Sequence, residues 1–382
     1  MTRLVDESQP GFGTLMRVLY FSRDYTSHDH RFLAAMVENG IQPFYLRLER
    51  SGHPQEDRML PVGVTPVQWE GGQKPFEHLD HRRLLSSLKS VLKSIKPDIL
   101  HAGPVQTAAW LAAQSRFHPL VTMSWGSDLL LDADSSAQMR RLTEFALANT
   151  DVLVGDCDTV REKAISFGFP SEKIVTFPWG VNLERFSPAE AERVIRQRAG
   201  WQEEFVILHT RTWEPVYGVE IFAKAFARAA ALRPDLRLFL LGNGSMAAEI
   251  RKILMPVMHK VQFVGQVNQE KLPAYYQAAD LYVSASRSDG SSVSLMEALA
   301  CGLPVLVSDI PGNREWLDGS EAGWMFPDGD ADALSARILE IADQRGKLEK
   351  TGRQARQLAE TRANWSENFK KLLTAYQMAL KV

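Results

Sequence analysis

The sequence predicts an α/β protein of two doubly wound domains, on three observations. Short apolar runs alternate with stretches of helical apolar spacing, the pattern of parallel strands covered by helices. The alternation breaks off and starts afresh around residues 182–188 (NLERFSP). A chain of 382 residues, 45% hydrophobic and 24% charged, can bury two cores of ordinary size.

Taken in order, residues 16–22 (MRVLYFS) form an apolar run that reads as a buried parallel strand. Residues 31–39 have helical spacing through Phe32, Ala35 and Met36, and Gly40 ends the helix. Strands are expected at 43–48, 98–102, 120–124, 152–155 and 174–177. In the second half, 205–210 (FVILHT) and 236–241 (LRLFLL) read as strands flanking a helix at 221–232. Runs at 261–264, 281–284 and 304–308 continue the set. A last helix at 365–380 carries an apolar stripe of Trp365, Phe369, Leu372, Leu373, Tyr376 and Leu380 that must dock somewhere. Residues 1–15 lack the apolar core of a signal peptide and read as a loose leader.

Composition excludes several classes. A net charge of −2 argues against nucleic acid as a partner. Two cysteines, Cys157 and Cys301, make neither a disulfide framework nor a metal-ligand spacing, which points to a reducing cytoplasm. No apolar run reaches the roughly 18 residues of a membrane span. Residues 82–96 combine an apolar stripe (Leu84, Leu85, Leu88, Val91, Leu92, Ile95) with Arg82, Arg83, Lys89, Lys93 and Lys96. Such a helix either packs its stripe on a sheet or lies against anionic lipid, which would make the protein peripheral at the inner face of the membrane.

The chemistry concentrates in residues 284–317. Asp289 and Glu297 bracket seven residues, and Gly290-Ser291-Ser292 leads into an apolar helix start. Free amides and the helix dipole favour an anion there. A carboxylate a turn or two further on can bind hydroxyls. An anion site beside a hydroxyl site describes a nucleotide-sugar pocket.

The Asp289–Glu297 pair resembles the Glu-x7-Glu motif of the retaining glycosyltransferases of family 4 (group 1). Ala298-Leu299-Ala300, Gly302, Pro304, Pro311-Gly312 and Glu315 resemble the segment on the C-terminal side of that motif. Gly242-Asn243-Gly244, and Pro178-Trp179-Gly180-Val181-Asn182 with Phe186 and Pro188, match further segments, and Trp365 and Tyr376 fall where the family's C-terminal helix crosses back. The resemblance implies the GT-B architecture, two Rossmann-like domains facing each other across a cleft. Residues 16–186 with the C-terminal helix 362–382 would form the acceptor-side domain, and 187–361 the donor-binding domain.

It also implies roles. Glu297 would bind the ribose, Asp289 would lie by the donor sugar, and the amides of Gly290, Ser291, Ser292, Val293 and Ser294 would hold sugar hydroxyls and phosphate. Arg211, at the end of a strand, aligns with the family's diphosphate arginine. The family's lysine is replaced by Tyr217, before Gly218, so Arg287, Lys224 or the Tyr217 hydroxyl would have to substitute. Base contacts near Val264 would be largely backbone. On the acceptor side, His28, Asp29 and His30 would line the first turn of a helix capped by Thr26 or Ser27. Trp125 stands where the family often has a His, and Asp128 is placed to bind an acceptor hydroxyl or to cap a helix. His28 and His30 lack a third metal ligand.

The expected activity is transfer of a hexose from a UDP- or GDP-sugar to a glycan, glycolipid or small-molecule hydroxyl, with retention and no obligatory cofactor or metal. Domain closure would exclude water. The rivals are a phosphorylase or epimerase of the same fold, and a nucleotide-sugar-binding partner without turnover.

Overall fold

The structure is a computed structural model describing residues 15–50, 56–189 and 193–381. The leader expected over 1–15 therefore lies, Leu15 apart, outside the described residues. Apolar runs become strands as expected, β1 Met16–Ser22, β2 Ile41–Arg47, β4 Ile99–Gly103, β5 Leu120–Met123, β6 Val152–Gly155 and β7 Ile174–Thr176, and an unforeseen two-residue strand, β3 Thr65–Pro66, joins them. They form one sheet in the order β3-β2-β1-β4-β5-β6-β7, whose pairs from β3 to β6 run parallel. The second sheet holds β8 Phe205–His209, β9 Leu236–Leu241, β10 Val261–Gly265, β11 Leu281–Ser284, β12 Val305–Ser308 and β13 Gly323–Phe326. Its order is β10-β9-β8-β11-β12-β13, all parallel.

Both orders reverse direction next to their first strand, between β1 and β4 and between β8 and β11. Such switch points open a crevice at the carboxyl ends of the strands. In β8, alternate residues serve opposite faces. Phe205 and Ile207 join the core under the Val219–Leu232 and Ala331–Asp343 helices, while Val206 and Leu208 join the core under the Val293–Ala300 helix. Burial on both faces explains why these strands read as continuous apolar runs.

The chain divides into two compact units. One comprises residues 1–123, 138–154 and 375–382; the other comprises 124–137 and 155–374. Residues 124–137 and 155–186 thus fall in the same unit as the second sheet.

In the first unit, the Ser27–Glu38 helix extends ahead of the apolar spacing at 31–39, and of the two expected caps it is Thr26 that serves, in a capping box with Asp29. The basic segment forms the His81–Ile95 helix, whose Leu84, Leu88, Val91 and Leu92 pack in the core with β1, β2 and β4. Its apolar stripe is therefore used inside the protein; only the charged side (Arg82, Arg83, Lys89, Lys93, Lys96) is exposed. The Trp365–Ala379 helix buries Phe369, Leu372 and Tyr376, but Leu380 lies beyond its end and is exposed. The Tyr376 hydroxyl stands 2.6 Å from His101 Nδ1 on β4. Among the described residues no helix is long and apolar enough to cross a membrane.

Candidate functional site

The switch point of the second sheet places Arg211, two residues past β8, beside the turn leaving β11. Close approach here depends on Gly218, which starts the Val219–Leu232 helix at φ +57°; a Cβ on it would stand 2.0 Å from the Ala285 carbonyl oxygen.

Arg211 draws the expected residues together. Its Nη1 donates to Ser292 Oγ at 3.1 Å and to Ser294 Oγ at 3.2 Å. Its Nη2 lies 2.7 Å from Asp289 Oδ2. That contact is an ion pair by distance but lacks hydrogen-bond alignment, which leaves Asp289 Oδ2 buried without a hydrogen-bond partner; Arg211 Nε is also buried and has none. The guanidinium sits over the Tyr217 ring, 4.1 Å from its centroid. The position of the family's lysine therefore offers an aromatic face, and the charge on it is Arg211's own. Arg287 and Lys224 are exposed. Burial raises the Asp289 carboxyl above its ordinary range, against the pull of Arg211.

A chain of hydroxyls runs behind this pair. Tyr282 Oη lies 2.8 Å from Ser294 Oγ, and Ser294 Oγ 3.2 Å from Ser292 Oγ. Ser292 is the N-cap of the Val293–Ala300 helix but makes no side-chain cap bond, since its hydroxyl faces Arg211 instead. Glu297, in the same helix, is 4% exposed and accepts the Tyr276 hydroxyl at 2.8 Å, which in turn lies 3.1 Å from Thr210 Oγ1. Val264 lies half-buried on β10.

The Ser291 amide, Asp128 and Asp29 are placed otherwise than expected. The Ser291 amide does not face a ligand: it donates to Asp156 Oδ2 at 2.7 Å, and Ser291 Oγ accepts Trp316 Nε1 at 3.2 Å. Asp128 is 3% exposed, and its Oδ1 accepts Ser124 Oγ at 2.6 Å and the amides of Trp125 and Leu129 at 3.0 Å each. That oxygen holds its own loop rather than an acceptor hydroxyl. Trp125 packs edge-on against Trp179, with centroids 5.9 Å apart. Asp29 points inward, accepting the Tyr20 hydroxyl at 3.1 Å and the Thr26 amide at 2.8 Å, because it closes the capping box. His28 is half-buried on the first turn of its helix, and His30 stacks obliquely near Tyr25, 6.4 Å between centroids. Among the described residues no three His, Cys, Asp or Glu side chains cluster as metal ligands.

Asp156 and Tyr276 were not foreseen as parts of this site. Asp156 had a signal, its place directly after a strand at the carboxyl edge of a parallel sheet. Tyr276 had none, since a tyrosine in an apolar helix reads as core.

Residues 191–358 match the family model described as glycosyl transferases group 1, and residues 46–156 match one described as glycosyl transferase 4-like. The chain is 28% identical over 199 residues to a GDP-mannose-dependent monoacylated α-(1-6)-phosphatidylinositol monomannoside mannosyltransferase of Corynebacterium glutamicum, a match covering 50% of this chain and 51% of that protein. It is 27% identical over 343 residues to a D-inositol 3-phosphate glycosyltransferase of Thermobispora bispora, covering 80% and 79%. The match to the first of these thus spans about half of that relative's length. Anabaena HepE, crystallised with UDP and glucose, superposes with a TM-score of 0.77 at 17% identity, over 94% of this chain and 99% of that one. Two family models spanning most of the sequence, and a shared architecture over nearly its full length, show that the chain belongs to the group 1 glycosyltransferases of family 4 and has the GT-B fold.

Proposed function

We propose that this protein transfers a hexose from a nucleotide diphospho-sugar to a hydroxyl acceptor, with retention at the anomeric carbon. The supporting observation is the buried Arg211 guanidinium beside a helix start that no side chain caps, at the switch point of a parallel sheet. Arg211 and the first-turn amides at Ser292, Val293 and Ser294 would take the diphosphate, charge meeting charge in a water-poor crevice. Glu297 would accept the ribose hydroxyls, exchanging its bond from Tyr276. Asp289 and Gly290 would adjoin the sugar, and backbone near Val264 the base; Tyr217 and Gly218 would shape the diphosphate side. The acceptor oxygen attacks on the leaving-group face. The bond from the anomeric carbon to the diphosphate breaks as the new glycosidic bond forms, and the acceptor proton passes to the departing phosphate. No step calls for a metal or a cofactor. The relatives' names suggest GDP and UDP as the bases to try first, and glycans, glycolipids and small phosphorylated polyols as acceptors.

Calorimetric binding of UDP, GDP, ADP and their sugars to the wild type and to Glu297→Ala tests the reading. One nucleotide should bind, and the variant should lose at least about tenfold in affinity, the loss of one charge-assisted hydrogen-bond set. No binding by any of them would overturn it. A second reading, donor binding without turnover, is favoured by one observation: Asp289 already neutralises Arg211, and Tyr217 supplies no second cation. Binding without release of nucleoside diphosphate over a panel of acceptors would select it.

A further inference from the structure

Asp156 follows β6 directly and is 4% exposed. Its Oδ2 accepts the Ser291 amide at 2.7 Å, while Oδ1 is buried and meets no donor of hydrogen-bond geometry. A Cβ built on Gly290 would stand 2.4 Å from Oδ2 and 2.6 Å from Oδ1, and its three nearest atoms all belong to Asp156. The other side of the same turn is equally close: a Cβ on Gly312 would stand 2.4 Å from the Asp289 carbonyl oxygen and 2.5 Å from that of Gly290. The peptide from Asp289 to Ser291 is thus held between a carboxylate and the first turn of the Pro311–Leu317 helix, with Trp316 Nε1 on Ser291 Oγ as a further fixed point. Glu315 of that helix accepts the amides of Asp158 and Thr159 at 2.9 and 2.8 Å, tying the segment after Asp156 to the same support.

A buried carboxylate with one oxygen unpaired is costly, and an apolar residue would avoid the cost. What the carboxylate supplies is a rigid acceptor for one backbone amide, next to the residue that meets Arg211. We propose that Asp156 is a positioning residue of the donor site: by binding the Ser291 amide and pressing on Gly290 it sets where the Asp289 carboxylate stands relative to Arg211. Burial pushes the Asp156 carboxyl up to about 6, the Ser291 amide pulls it back, and the Asp289 charge adds to the rise, which agrees with a group held there against its own solvation. The inference rests on the transferase reading, because it concerns the same donor loop.

The test is steady-state kinetics with the UDP- or GDP-sugar that binds, together with calorimetry of the free nucleoside diphosphate. Asp156→Ala should lower kcat by at least about 30-fold while nucleoside diphosphate affinity stays within about threefold, since Asp156 touches none of the groups given to the nucleotide, namely Arg211, Glu297 and the amides from Ser292 onward. Asp156→Asn, whose amide oxygen accepts the same bond, should recover most of the rate; a general packing role would not predict a loss in kcat at unchanged nucleotide affinity. Gly290→Ala should be as damaging alone, yet should add little to Asp156→Ala, because its methyl then enters vacated space. Should Asp156→Ala fail to fold, Asp156→Ser removes the same contact with a smaller void. A kcat within about threefold of wild type in the folded variant, an Asn variant no better than Ala, or independent multiplicative effects of the two substitutions would each overturn the inference. Failure of the transferase reading looks different: the wild type itself would bind no nucleoside diphosphate and turn over no donor, and the inference would fall with it.

Discussion

A buried guanidinium needs a counter-charge, and Asp289 supplies one to Arg211 at 2.7 Å. Removing one partner leaves the other buried and bare. Arg211→Ala should therefore cost about 3 kcal/mol in urea unfolding, and Arg211→Ala with Asp289→Ala should be more stable than the single variant. A double variant no more stable than the single one would show that the pair is not coupled. Arg211→Lys keeps the charge but loses the fork that spans Ser292, Ser294 and Asp289, so transfer should fall about 100-fold with the fold intact. These contacts were legible in part. Arg211 comes just after an apolar strand, and 289–297 is contiguous in sequence, so their types and spacing could be read. The grip of Asp156 on Ser291 spans 135 residues and joins segments that follow strands of two different sheets, which no local pattern reveals.

At the level of elements, helix starts decide much of the geometry. Gly218 combines φ +57° with a contact that leaves no room for a Cβ, so Gly218→Ala should destabilise by about 2 kcal/mol or more in the same assay and weaken donor binding. A change under about 0.5 kcal/mol would mean that the turn can yield. In the His81–Ile95 helix, Leu88 is fully buried and Lys89 is exposed. Leu88→Ala should cost about 3 kcal/mol, whereas Lys89→Glu should stay within about 0.5. Strands were legible because burial on both faces writes them as apolar runs. Thr65–Pro66 was not, being two exposed residues with no periodicity to read. The apolar spacing of the helix at Ser27 begins only at residue 31 because its first turn, Ser-His-Asp-His, is polar, and the reciprocal bonds between Thr26 and Asp29 decide between the two caps the sequence offered.

Across the whole molecule, buried titratable groups oppose one another. Burial raises Asp29, against its hydrogen bonds from Thr26 and Tyr20, and likewise raises Asp156, each from 3.8 to about 6. Burial lowers His101 from 6.5 to about 3 and His209 to about 4. Between pH 4 and 6 the folded chain holds protons on the two aspartates that the unfolded chain has released, so their contribution to stability falls as pH rises. In the same window the unfolded chain protonates the two histidines and the folded chain does not, so their contribution rises with pH. Asp29→Asn removes one effect of the first kind. Its unfolding free energy should gain about 1.4 kcal/mol per pH unit relative to wild type between pH 4 and 6, and nothing further above pH 7. Parallel pH curves for the two proteins would sink that assignment. The contact between Tyr376 and His101 has another consequence. It joins positions 275 residues apart, and residues 375–382 belong to the unit built mainly from residues 15–123. During translation that unit lacks the helical segment carrying Tyr376 until residue 375 and those following it have been synthesised. Residues 155–374 have by then been made, so the later-translated unit can consolidate before the earlier one is complete, and nascent chains released short of residue 375 should expose the pocket that Tyr376 fills.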